Sequence, residues 1–93
     1  HKSNKLAFIG VQADMGDLKA IAQSIAEIPA VTSVLITMGR FNILAICLFD
    51  ELEELHAVAS DQILALRGVH HVETSVAVKT LKYNSRIVRI TPD

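Results

Sequence analysis

The 93-residue chain sets nine Lys and Arg against ten Asp and Glu, a formal charge of −1, so it lacks the broad positive field that holds a protein on nucleic acid. A composition of 51% apolar and 20% charged residues excludes a disordered chain, and aromatics at 4% make the core aliphatic. The single cysteine, Cys47, rules out a disulfide framework, no apolar run reaches the roughly 18 residues of a membrane span, and the start has no signal-peptide pattern, which together predict a cytoplasmic protein.

The length predicts one domain with one core. Residues 1–4 read as a linker or remnant, and the domain as 5–93. Residues 5–13 form the first predicted strand, with Leu6, Phe8, Ile9 and Val11 apolar and Gly10 marking a close approach or a bulge. The period then changes from two to 3.6. Asp14 is placed to cap a helix carrying Leu18, Ile21, Ala22, Ile25 and Ile28 at helical spacing, with Asp17 in its first turn and Pro29 closing it. Residues 31–38 are β-branched and strand-like, and a short hairpin through Gly39 and Arg40 leads to the most apolar run in the chain, residues 41–49.

Only Asn42 interrupts that run, so both of its faces leave water and it reads as a central strand. One face is packed by the chain's own helices. The other, carrying Leu44, Ile46 and Leu48, would expose a large apolar patch unless a second copy covers it, which predicts a homodimer. Asp50 and Glu53 have capping-box spacing for a second helix, whose expected buried stripe is Leu52, Leu55, Ala59, Ile63 and Leu66, and Gly68 suits a left-handed stop. The last long strand is predicted over 69–81, with Val72, Thr74, Val76 and Val78 on one side and Glu73, Ser75, Ala77 and Lys79 on the other. A turn at 83–85 and a short alternating arm from about 84, including residues 86–90, follow. The late basic residues Lys79, Lys82, Arg86 and Arg89 read as a solvated edge.

The chain has an internal echo: Ile28-Pro29-Ala30-Val31-Thr32-Ser33-Val34 and Leu66-Arg67-Gly68-Val69-His70-His71-Val72 share one helix-exit pattern. Two right-handed βαβ halves joined by a hairpin give an α+β, ferredoxin-like βαββαβ sandwich, an antiparallel sheet of order 4-1-3-2 with two helices on one face, dimerising through the other.

Thr37-Met38-Gly39-Arg40-Phe41-Asn42 before a buried strand, Glu54-Leu55 in the helix, Leu66-Arg67-Gly68-Val69, and Glu73-Thr74 together resemble the effector-binding (RAM) domain of Lrp/AsnC-type transcriptional regulators. The resemblance implies an effector-sensing and oligomerisation domain that dimerises through its sheet, assembles into higher homo-oligomers and binds a small molecule, usually an amino acid, between subunits. DNA would be read by a helix-turn-helix domain that residues 1–4 cannot supply, so that domain either precedes this chain or the chain is a stand-alone form. The expected effector contacts are the hairpin residues Gly39, Arg40, Phe41 and Asn42, with Thr74 and Ser75 on the last strand. The family pattern commonly has an acid where Asn42 stands.

The adjacent His70 and His71 point to opposite faces of a strand and cannot share a metal, and Glu51, Glu53 and Glu54 sit at a helix start, where capping explains them. No metal, cofactor or catalytic set is therefore expected. Two alternatives share the topology: an ACT-type amino-acid-binding domain, suggested by Asp14-Met15-Gly16-Asp17-Leu18, and a dimeric α+β barrel enzyme, which would need a polar cavity that aliphatic strands line poorly.

Overall fold

The computed structural model describes residues 5–79. Strand β1 (Lys5–Ala13) leads through a 3-10 turn (Met15–Asp17) into helix α1 (Leu18–Ala26), then strands β2 (Val31–Ile36) and β3 (Ile43–Phe49). Helix α2 (Leu52–His56) continues as a π-type stretch (Ala57–Ile63) and is followed by strand β4 (Val69–Val76). The sheet order is β2-β3-β1-β4, all neighbours antiparallel, so the expected 4-1-3-2 topology holds. The arm predicted over 86–90 and its turn, with Lys82, Arg86 and Arg89, lie outside the described residues.

Period-two alternation sorts each central strand. Ala7, Ile9, Val11 and Ala13 of β1 and Ile43, Ala45, Cys47 and Phe49 of β3 are buried against Ile21, Ala22 and Ile25 of α1 and Leu55, Val58 and Ile63 of the second helix. Burial pushes the Cys47 thiol pKa up, with the charge of Glu54 adding to it, so this cysteine acts as a small apolar filler. On the opposite face no helix of the described residues packs. Leu44 and Ile46 are half-buried there, while Leu35, Leu48 and Phe8 are 46%, 37% and 36% exposed, as the predicted uncovered side requires.

The internal echo is real in three dimensions. Ile28 N–H donates to Ile25 C=O and Val31 N–H to Ile28 C=O; in the second half Leu66 N–H donates to Ile63 C=O and Val69 N–H to Leu66 C=O. The same two bonds turn both helices back into the sheet.

Local details depart from the sequence reading. The Asp14 side chain does not cap α1; it is drawn across to His70, and the Asp14 N–H donates to Gly68 C=O. The second cap sits one residue later than expected: Glu54, not Glu53, accepts from the Glu51 and Asp50 N–H groups, since Glu53 is rotated a further 100° around the helix. Both bonds favour the carboxylate, and together they lower the Glu54 pKa. Leu52, placed in the buried stripe, is 65% exposed. The wider π turn, with Leu64 N–H donating to Ala59 C=O, lets Val58 and Ile63, five residues apart, share the buried side, a phase shift that a 3.6-residue repeat does not foresee. Strands β2, β3 and β4 are shorter than predicted because residues 37–42 close the hairpin and 77–79 leave regular pairing.

Gly68 adopts φ +93°, and a Cβ there would stand 2.9 Å from Ile21 Cδ1. Gly68→Ala is expected to cost about 1–3 kcal/mol through left-handed strain and overpacking, read as a lowered urea midpoint. Gly16→Ala, with open space around it, is expected to stay within about 0.5 kcal/mol of the parent.

Candidate functional site

The β2–β3 hairpin is a four-residue loop, Met38 to Phe41, closed by Thr37 N–H donating to Asn42 C=O and by the Thr37 hydroxyl donating to Phe41 C=O at 2.8 Å. Gly39, at φ +138°, supplies the backbone conformation that lets the loop turn back over the sheet. Phe41 then lies directly on Gly10 of β1, where an added Cβ would approach its ring to 2.6 Å. The approach predicted at Gly10 is thus occupied by the hairpin's own aromatic.

Register assembles the rest. Gly10 pairs with Glu73 and Gln12 with His71, so β4 delivers both side chains to the open face beside Phe41. Arg40 Nη2 donates to Glu73 Oε2 at 2.6 Å and His71 Nε2 meets the same oxygen at 2.8 Å. The Phe41 and His71 rings are stacked at 6.5 Å with an 8° interplanar angle, and the Arg40 guanidinium sits 5.4 Å from the Phe41 centroid. Gln12 Nε2 donates to Arg40 C=O at 2.9 Å, tying the loop to β1.

Asn42 has a different task from its neighbours. Its Oδ1 accepts from Ala13 N–H at 3.0 Å and its Nδ2 donates to Ala13 C=O at 2.8 Å, so the amide pairs with backbone where regular pairing of β1 ends at a bulge. Beside the loop lies a cleft of about 300 Å³ lined by Gln12, Met15, Thr37, Met38, Gly39, Arg40 and Asn42.

Of the residues singled out from sequence, Gly39, Arg40, Phe41 and Asn42 share this end of the sheet. Ser75 lies on the same open face, opposite Phe8. Thr74, paired with Ile9, is on the helix side, where it lines a groove of about 320 Å³ beside α2 with Leu55 and His56. The two therefore cannot reach one ligand from a single face. Sequence reasoning passed over His71, Glu73 and Gln12 as members of the cluster. The i, i+2 spacing of His71 and Glu73 signalled a shared face, but their proximity to Arg40 depends on the β1–β4 register. Among the described residues no group of three His, Cys, Asp or Glu could hold a metal, and no helix is long and apolar enough to cross a membrane.

Residues 6–87 match the family model of the Lrp/AsnC ligand binding domain. No curated protein matches the chain. Among solved structures, a Thermus thermophilus protein, TTHA0845, is 29% identical with a TM-score of 0.81, covering 86% of this chain and 100% of its own. The Escherichia coli regulator AsnC aligns at 17% identity and a TM-score of 0.82 over 89% of this chain and 56% of its own. The Neisseria meningitidis transcriptional regulator NMB0573, solved as an L-Met complex, aligns at 24% identity and 0.80 over 88% and 55%. The chain thus spans the whole of the first protein and about half of each regulator, and its likeness to the two regulators is one of fold.

Hydrogen bonds from His71 first, and then Arg40, hold the Glu73 carboxyl below the usual carboxylate range. A depressed carboxyl stabilises the fold fully above its unfolded value, about 4.3, and loses that contribution as pH falls through the lower folded value. Urea melts of wild type and Glu73→Gln are expected to differ at pH 6 and to draw together progressively as pH falls below the unfolded value of about 4.3.

Proposed function

Because this chain belongs to the Lrp/AsnC ligand-binding domain family, we propose that it is the effector-sensing and oligomerisation domain of a transcriptional regulator. It pairs with a second copy through the open sheet face and binds a carboxylate-bearing small molecule of the amino-acid class at the hairpin, where subunits meet. DNA contact belongs to a helix-turn-helix domain outside this sequence. The domain is a sensor and not an enzyme.

The observation that carries this reading is the outward row of β3. Leu44, Ile46 and Leu48, with Phe8 and Leu35 beside them, form one apolar face that no element of the described chain covers. These side chains are already partly covered within one chain, so burying the rest contributes less than the roughly 1.5–3 kcal/mol of full burial for each, and the row acts together to offset the cost of association. Hydrophobic pairing of this face leaves the hairpins near the rim, where backbone groups around Gly39 can meet a ligand's polar ends. The amino-acid class is supported by the L-Met bound to the Neisseria regulator of the same fold.

Ile46→Asp places an unpaired charge in the paired face and is expected to convert the dimer to monomer, or to unfold the chain, in sedimentation velocity runs at micromolar concentration. A wild-type chain that sediments as a folded monomer under those conditions overturns the pairing. Gly39→Val forces a β-branched residue into φ +138° and is expected to weaken effector-dependent stabilisation at least about tenfold while the far-UV circular dichroism is retained. An unchanged response in that variant removes the hairpin from the site.

A further inference from the structure

The sulfur of this chain is confined to Met15, Met38 and Cys47, and its placement is uneven. Cys47 is fully buried in β3, where burial and the charge of Glu54 push its thiol pKa up, so little of the reactive thiolate forms. The core, built mainly from Ile, Val and Ala, uses neither methionine. Met15, from the 3-10 turn after β1, and Met38, from the β2–β3 hairpin, are instead 76% and 99% exposed. Both line the cleft of about 300 Å³ beside Arg40, and among the described residues they supply its large apolar side chains. Met15 Sδ also accepts from Asn42 Nδ2 at 3.6 Å, which sets one thioether against the amide that satisfies the backbone of Ala13.

From this arrangement we propose that Met15 and Met38 form an oxidation site, at which a hydroperoxide converts both thioethers to sulfoxides and thereby lowers the affinity of the cleft for its effector. The proposal rests on the hairpin reading of the site and adds a control to it. The sulfur lone pair attacks a peroxide oxygen, the O–O bond breaks and an S–O bond forms, and the departing hydroxide takes the proton from the newly bound oxygen and leaves as water. Sulfur is oxidised and peroxide reduced, with no other co-reactant. In the thioether form the two flexible side chains offer an apolar effector side chain a contact that adapts to its shape. In the sulfoxide form they are polar, and the same side chain can approach only by stripping water from the S=O groups. A sulfoxide oxygen is also a far stronger acceptor than a thioether sulfur, so oxidation draws Met15 onto the Asn42 amide and changes the shape of the lining.

The test treats the full chain with hydrogen peroxide, removes the oxidant, and compares treated and untreated protein by peptide mass spectrometry, far-UV circular dichroism and titration calorimetry with L-methionine and L-leucine. Mass spectrometry is expected to find an added oxygen on Met15 and on Met38 and none on Cys47, with the circular dichroism retained. At least one of the two amino acids is expected to bind the treated chain about tenfold more weakly or worse. Methionine sulfoxide reductases of both stereochemical specificities are expected to restore the lost affinity. A chain carrying Met15→Leu and Met38→Leu, compared with itself before and after peroxide, is expected to show no change, whatever its starting affinity; should that variant not fold, the reductase arm decides. Both methionines oxidised with binding unaltered overturns the inference and leaves the hairpin site standing. A loss of binding that persists in the Leu variant, that the reductases fail to reverse, or that accompanies oxidation of Cys47 overturns the placement. An untreated chain that binds neither amino acid overturns the site and this inference with it, and that result is in hand before any peroxide is added.

Discussion

The antiparallel pairing of β1 with β3 is the joint on which the domain depends. Each βαβ half has a gap between its own two strands: β3 of the second half fills the gap between β1 and β2, and β1 of the first half fills the gap between β3 and β4. Seven register pairs from Lys5↔Phe49 to Val11↔Ile43 fix this interleaving. A slip of one residue would turn β1 over relative to β3, sending Ile9 and Val11 to the open side and setting Gly10 and Gln12 against the helices.

The same register creates the site. With β1 aligned to β3, the hairpin that follows β2 falls over Gly10, the one position in β1 without a side chain to obstruct Phe41. With β1 aligned to β4, His71 and Glu73 arrive at that spot from the other side. Phe41 therefore bridges three strands, and Arg40 is held by an aromatic face below and a carboxylate beside it. Exposed ion pairs contribute little to stability, so the effect of the Arg40–Glu73 contact is chiefly to orient the guanidinium.

Much of this was legible in the residues. Strand order, the inward and outward rows of β3, and the left-handed stop at Gly68 follow from period and turn chemistry, which act locally. Misreadings arose where two local solutions compete and a distant partner decides. Asp14 is a good cap by type, yet His70, fifty-six positions away, takes its carboxylate. Asp50-Glu51-Leu52-Glu53-Glu54 offers two capping frames one residue apart, and the later one forms, with Leu55 buried behind it. Asn42 reads as a hairpin side chain free for a ligand, but the bulge at Gln12 and Ala13 leaves backbone groups that its amide satisfies, and no periodicity announces a bulge. The separation of Thr74 from Ser75 was available from strand alternation alone.

Ala77 N–H donates to Leu6 C=O, which brings the last described turn of chain alongside the first. Both exits are therefore at one pole of the sheet, and the hairpin occupies the other, the length of nine-residue β1 away, roughly 26 Å at about 3.3 Å per step. The Lys5 end of the sheet and the cleft beside Arg40 are thus held nearly a full strand apart, and only the paired strands connect them.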